Sequence, residues 1–243
     1  MTGRRGQYGE AERLCLQALE VSERLGDQAG VSKSCTNLGL IARDTGRLDE
    51  AEVLFKRALA IDERRGARDS IAICHYNLGT IAKARGRHDQ AGVLYKQALQ
   101  VFQDLDYIIG TANCGGQLGT LARERGDYDE AENLCWRAAE TFERIGAQID
   151  LARTYRQLAT IALARDHFDE AERLCHQALE IFERAGVQPF LARTHLVLAR
   201  VEAKRGNKAR AIELATKALG LSKGMGLHPE TELCEELLTS LGD

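Results

Sequence analysis

One spacing governs this chain: alanine recurs every 40 residues, at Ala11, Ala51, Ala91, Ala131, Ala171 and Ala211. Two further series keep the same step: Gly6, Gly46, Gly86, Gly126, Asp166 and Gly206, and Leu38, Leu78, Leu118, Leu158 and Leu198. A fixed period in this range implies a solenoid, in which a unit cannot bury its apolar face alone and stacks it on its neighbours. With 44% hydrophobic and 28% charged residues, the composition excludes a wholly disordered chain. Two prolines and 5% aromatic residues favour helices over strands.

Each unit reads as two helices. In "GRLDEAEVLFKRALAIDERRG", Asp49 suits an N-cap, and Glu50 and Glu52 suit the electropositive first turn. Ala51, Leu54, Phe55, Ala58, Leu59 and Asp62 follow at steps of three and four, amphipathic until the last, and Gly66 suits a C-terminal stop. The partner helix is "SIAICHYNLGTIAKARG", with its stripe on Ile71, Cys74, Leu78, Ile81 and Ala82. Gly79 lies mid-helix, where glycine costs about 1 kcal/mol against alanine. Its equivalents are Gly39, Gly119, Ala159 and Ala199. Only small residues stand there, as a close approach of two helices requires.

The phrase "NLGTIAKARGRHDQAGVLYKQAL" resembles the tetratricopeptide repeat. Leu78-Gly79 match the Leu-Gly of that family, Ala82 stands where tyrosine is common, and Ala91, Tyr95 and Ala98 match its alanine–aromatic–alanine set. The resemblance covers nearly the whole chain. The period is longer than the usual repeat of about 34 residues, and is similar to that of arrays in kinesin light chains, spindle-orientation adaptors and many bacterial regulators. HEAT repeats have a comparable length but lack these phrases. The resemblance implies an all-α, right-handed α-solenoid of stacked antiparallel helix pairs. One array over 1–243 is expected: a half repeat at 6–28 holding only a second helix, five helix pairs over 29–220, and a capping helix at 228–241. In that cap Leu233, Leu237, Leu238 and Leu241 should pack, while Glu230, Glu232, Glu235 and Glu236 should face water. The start on a half repeat suggests a fragment of a longer protein, or self-association through Leu14, Ala18, Leu19 and Val21.

The pair Cys175-His176 raises the question of a nucleophile or metal ligand. The repeat answers it: Cys175 shares its slot with Cys15, Phe55, Tyr95 and Cys135, and His176 with Leu16, Lys56, Lys96 and Trp136. These are a packing slot and a tolerant slot. Cys15, Cys35, Cys135 and Cys175 are therefore expected to be buried and unreactive. The remaining histidines form no ligand spacing, so neither a metal nor a cofactor is expected. The glycines of "CGGQLG" lie inside a predicted helix, not between strand and helix, which argues against a phosphate loop. No residue stands out as catalytic. Seven cysteines without a CxxC argue against a secreted disulfide framework and favour a reducing cytoplasm. No apolar run approaches the roughly 20 residues of a membrane span.

In tetratricopeptide arrays the first helices line a concave groove, a placement the resemblance implies here. Asn37, Asn77, Gln117 and Gln157 precede the repeated leucine, and the series fails at Val197. Carboxamides can pair with the main chain of an extended peptide, as in similar arrays, or bond across adjacent helices; both readings stand. Tyr76 joins them on the groove side. The windows 29–45, 69–85, 109–125, 149–165 and 189–205 carry 13 Lys or Arg against five Asp or Glu, a net +8 in a chain of −3. Lys33, Arg43, Lys83, Arg123, Arg153, Arg156, Arg193 and Arg200 should face the groove. Such a strip steers an acidic partner. The helix dipole offers another reason for Arg43, Lys83 and Arg123, but not for Arg153, Arg156 and Arg193, which lie early in their helices. The expected function is a scaffold or sensor holding an extended, acidic peptide or protein segment. The alternative is the sensor arm of a bacterial signalling or transcription regulator. Nucleic-acid binding is not expected without a regular aromatic stacking series, and an enzyme is the least supported class.

Overall fold

A computed structural model describes residues 3–225 and 227–242, and the expected array 1–243 thus extends over positions outside the described residues. Among the described residues all regular structure is helical. The chain forms two compact units, Met1–Cys114 and Gly115–Asp243. The first holds α1 (Gly3–Leu25), α2 (Gln28–Asp44), α3 (Leu48–Arg65), α4 (Arg68–Ala84) and α5 (His88–Asp104). Helix α6 (Ile108–Arg125) spans the boundary. The second holds α7 (Tyr128–Arg144), α8 (Gln148–Ala164), α9 (Phe168–Arg184), α10 (Gln188–Lys204), α11 (Lys208–Met225) and α12 (His228–Gly242). Within each unit consecutive helices pack in chain order, and first helices also touch: α2 on α4, α8 on α10, α10 on α12. This is the stacked helix-pair solenoid that the period demands.

The small-residue slot lies where a first helix meets its own second helix. A Cβ on Gly39 would come within 2.8 Å of the Phe55 ring, and one on Gly79 within 2.9 Å of Tyr95. Phe55 and Tyr95 are fully buried. Where the opposing slot shrinks to Cys175 and Ala215, the small slot grows to Ala159 and Ala199, although Gly119 stays glycine opposite Cys135. Side-chain volume is traded across the pair, as dense packing requires. Asp62, the polar end of the α3 stripe, is fully buried. It accepts hydrogen bonds from Ser32 Oγ at 2.5 Å and Arg65 Nη1 at 2.7 Å, which joins α2 to α3.

The expected stop at Gly66 is left-handed, with φ 67°. In the first-to-second-helix turns Asp166 does the same work at φ 58°, a conformation aspartate tolerates better than most residues. Three expectations need correction. Asp49 is not an N-cap: the cap position is Arg47, without a side-chain cap bond, and the Asp49 carboxylate instead accepts from Arg85. Cys15 is half-buried, because α1 packs chiefly on α2, with α3 reached through Leu19 and the Arg57–Glu23 pair. In α12 Leu233 is exposed and Glu230 is sequestered, with Cys234 the fully buried residue. The reason is register: α12 begins 40 residues after α10, and Cys234 falls in the slot of Cys74 and Cys114. It packs as a further first helix.

Candidate binding face

Part of the basic excess has a structural use. Arg85 donates to both Asp49 and Glu52. Arg165 donates to Asp129 at 2.7 Å and Glu132 at 3.1 Å. Arg205 donates to Asp169, and to Glu172 at 2.5 Å. These are one clamp repeated at the 40-residue period, from the end of a first helix back to the acidic start of the preceding second helix. Sequence reasoning missed it, although its signal is plain: an arginine 33 and 36 residues after the two acids.

In the unit Met1–Cys114, Lys33 and Asn37 are exposed on α2. Arg43 Nη1 donates to Asn77 Oδ1 at 2.8 Å, and Asn77 Nδ2 donates to the Ile73 carbonyl at 2.8 Å. Asn77 is buried, so its amide is the cross-helix bridge between α2 and α4. Arg43 also grips Asp44 at 2.8 Å, which reduces its effective charge toward a ligand. Tyr76 is half-buried against the Tyr95 ring, 5.6 Å between centroids, and Lys83 is half-buried near the end of α4.

In the unit Gly115–Asp243, Gln117 is buried, and Gln157 Nε2 donates to Thr120 Oγ1 at 2.9 Å, bridging α8 to α6. Arg123 donates to its neighbour Glu124 at 3.3 Å. Arg153 Nη1 donates to Asp150 Oδ1 at 2.9 Å, and its guanidinium lies 5.7 Å from the Phe190 ring centroid. Phe190 is held in turn by Phe182, 5.0 Å away. Arg193 Nε donates to Glu230 Oε1 at 2.6 Å. The Arg156 side chain makes no hydrogen bond or ion pair among the described residues, and its Nε is buried without an acceptor. Burial foremost, then Arg193 and Arg153, hold its pKa down at about 10. Arg200 is half-buried at the far end of α10.

The amides thus bond across helices at Asn77 and Gln157. The charges gather most closely on α8 and α10. Phe190 and Glu230 went unrecognised as part of this face. Their signal is an offset: Arg153 meets Phe190, and Arg193 meets Glu230, each 37 residues on.

The expected packing role of Cys175 agrees with its environment: it is fully buried, and burial pushes its thiol up to about 12. His176 is more than half exposed, 3.7 Å from Glu172. No group of three or more His, Cys, Asp or Glu side chains among the described residues could hold a metal ion. A cleft of about 320 Å³ opens elsewhere, between α9, α10 and α11, with His195 buried in its lining. None of the described helices is long and apolar enough to cross a membrane.

Helix pairs at a 40-residue step, with Leu-Gly on the first helix and alanine–aromatic–alanine on the second, define a tetratricopeptide-like α-solenoid. Residues 1–232 match the MalT-like TPR region, and the chain belongs to that family. No curated protein sequence matches. Among solved structures, BtubC from P. vanneervenii is similar at 20% identity and TM-score 0.67, over 90% of this chain and 92% of that one. A Rap protein complexed with competence and sporulation factor is similar at 16% identity and TM-score 0.72, over 98% and 71%. NprR in complex with its cognate peptide NprX is similar at 16% identity and TM-score 0.75, over 90% and 65%. At these identities the likeness concerns the fold.

Proposed function

We propose that this chain is a non-enzymatic, cytoplasmic binding scaffold whose first-helix face holds an extended, acidic peptide or protein segment. The observation that carries the reading is the charge left over on that face. Among the described residues of the unit Gly115–Asp243 the only carboxylates that Arg153, Arg156 and Arg193 meet are Asp150 and Glu230, and in the unit Met1–Cys114 Lys33 is exposed on α2. Cations in surplus over their acids steer an anionic partner and raise its rate of association. Support for a peptide comes from the similar folds of Rap and NprR, whose structures hold competence and sporulation factor and a cognate peptide. The exposed Asn37 offers main-chain pairing directly. Asn77 does so more weakly, because both ends of its amide already bond within the protein.

Capture of partners on the 243-residue chain, followed by mass spectrometry and titration of synthetic segments, tests the reading. Binding should weaken with salt. Arg156→Glu should slow association and lower affinity without unfolding the chain. Asn77→Ala should cost roughly 1 kcal/mol of binding for a lost bond. Lys56→Glu, on an exposed second-helix side chain paired to Glu52, should change little. A partner that is basic, or that ignores both groove substitutions, refutes the proposal.

The match to a MalT-like region favours a second reading, in which the array is the sensor arm of a signalling or transcription regulator. The coding sequence upstream of Met1 distinguishes the two.

A further inference from the structure

Three guanidinium groups share the first-helix face of α8 and α10, and two of them are satisfied. Arg153 has Asp150 and Arg193 has Glu230, at 2.9 and 2.6 Å. Arg156 has no acid, and its buried Nε has no acceptor of any kind among the described residues. A buried donor without a partner is costly, and a charged one more so. Such groups are rare in native proteins and call for an explanation, of which use by a ligand is one. The residue as a whole is only half-buried, so its planar fork is within reach from solvent.

In α6 the position equivalent to Arg156 carries no side chain. The slot of Arg156 is Thr36 and Tyr76 in the two preceding first helices of the sequence, but Gly116 in α6. A Cβ on Gly116 would meet only Gln157 Oε1, at 3.3 Å, and one on Gly115 only the Leu134 carbonyl, at 3.8 Å. Neither glycine has a left-handed backbone, but Gly116 lies close under the Gln157 amide, whose Nε2 also reaches its carbonyl at 3.5 Å. Two adjacent glycines weaken a helix interior; here Gly115 faces α7, and Gly116 lets the Gln157 side chain of α8 lie close to α6. The tight slot of this helix is instead Gly119, whose Cβ would come within 2.7 Å of Cys135 Sγ. The glycine run seen in the sequence therefore divides into Gly119, tight against Cys135, and a pair that faces α7 and Gln157.

We propose that Arg156, flanked by Arg153 and Arg193, is a subsite for one carboxylate of the bound segment. Three guanidinium groups against two carboxylates leave one positive charge, which one carboxylate neutralises and a dianion would exceed. The planar arginine fork matches a carboxylate in two parallel hydrogen bonds. Arg153 is braced on Phe190, and Arg193 on Glu230, so both flanking charges are already positioned. This subsite deepens the peptide reading above and rests on it.

The test uses the 243-residue chain and three synthetic probes. These are C-terminally amidated hexaglutamate, hexaglutamine with a free C-terminus, and inorganic phosphate. The Nε–H resonance of Arg156 is followed by nitrogen-resolved NMR, and affinity by calorimetry. A carboxylate probe should shift that resonance. Arg156→Gln should lower its affinity about tenfold or more. Arg156→Lys, which keeps the charge but not the planar fork, should restore only part of that affinity, with circular dichroism confirming an intact helix content. The amidated hexaglutamate responding alone assigns a side-chain carboxylate; the free-ended hexaglutamine responding alone assigns a terminal one. Hexaglutamate that binds with salt sensitivity but ignores Arg156→Gln overturns the subsite and leaves the groove reading standing. A protein that binds neither carboxylate probe overturns both, and a response to phosphate alone overturns the carboxylate assignment.

Discussion

Lowering the pH from 7 to 5 will destabilise residues 115–243 through His195. Its imidazole is buried in α10, with the residue only 4% exposed, and its Nδ1 has no hydrogen-bond partner. Around it stand His176, Glu180 and Glu183 from α9, and Arg210, Glu213 and Lys217 from α11. Burial, then Lys217, Arg210 and His176, lower its pKa from 6.5 to about 4. A depressed histidine is neutral when folded and protonated when unfolded between those two values. The unfolded state therefore binds more protons, and stability falls as pH falls. Integrated from pH 7 to 5 with those pKa values, the loss is about 2 kcal/mol, and about 3 kcal/mol by pH 4. Urea unfolding, followed by the fluorescence of Trp136 in the same unit, measures it. His195→Gln removes the titrating group and leaves the carboxylates and the other histidines unchanged in both proteins. The variant should lose about 2 kcal/mol less than the wild type over that pH range. Parallel losses in the two proteins, or an NMR titration placing His195 near its ordinary value of about 6.5, would refute the reasoning.

Two further outcomes follow from packing. Cys74, Cys114, Cys135 and Cys175 are buried, with burial the largest cause of pKa values pushed up to about 12. In a thiol titration of the native protein Cys15 should react first and these four only on unfolding; fast labelling of Cys175 at native stability would contradict this. Gly79→Leu should lower stability by about 1–3 kcal/mol, because overpacking against the Tyr95 ring outweighs the gain of about 1 kcal/mol in helix propensity. Thermal melting reads this directly, and an unchanged midpoint would show that the ring can move aside.

The repeat made the helices legible, and with them the buried slots, because a 40-residue period forces equivalent residues into equivalent packing. Gly79 could be placed against a neighbour from its column of small residues alone. Side-chain partners were harder to read, since they depend on which helices become neighbours and on how far one is displaced along the other. Asp49 looked like a cap because acids at a helix start serve that purpose locally. In the structure its carboxylate answers Arg85, 36 residues away. Glu230 looked like a solvent-facing residue of a polar cap for the same reason, yet it answers Arg193 at 37. The separations show that the missing information was still periodic. Arg43 to Asn77 is 34 residues, Gln157 to Thr120 is 37, and the arginine clamps fall at 33 and 36. In this solenoid the step between touching residues of successive units is the repeat length minus one to two helical turns, because stacked helices pack with an offset along their axes. A second self-comparison at separations of 33 to 37, after the one at 40, would have paired these charges. It would also have left Arg156 without an acid. The residues at those separations after it run from Pro189 to Arg193, and those before it run from Gly119 to Arg123; none of them is acidic. The unpaired cation was thus a property of the sequence before it was a property of the fold.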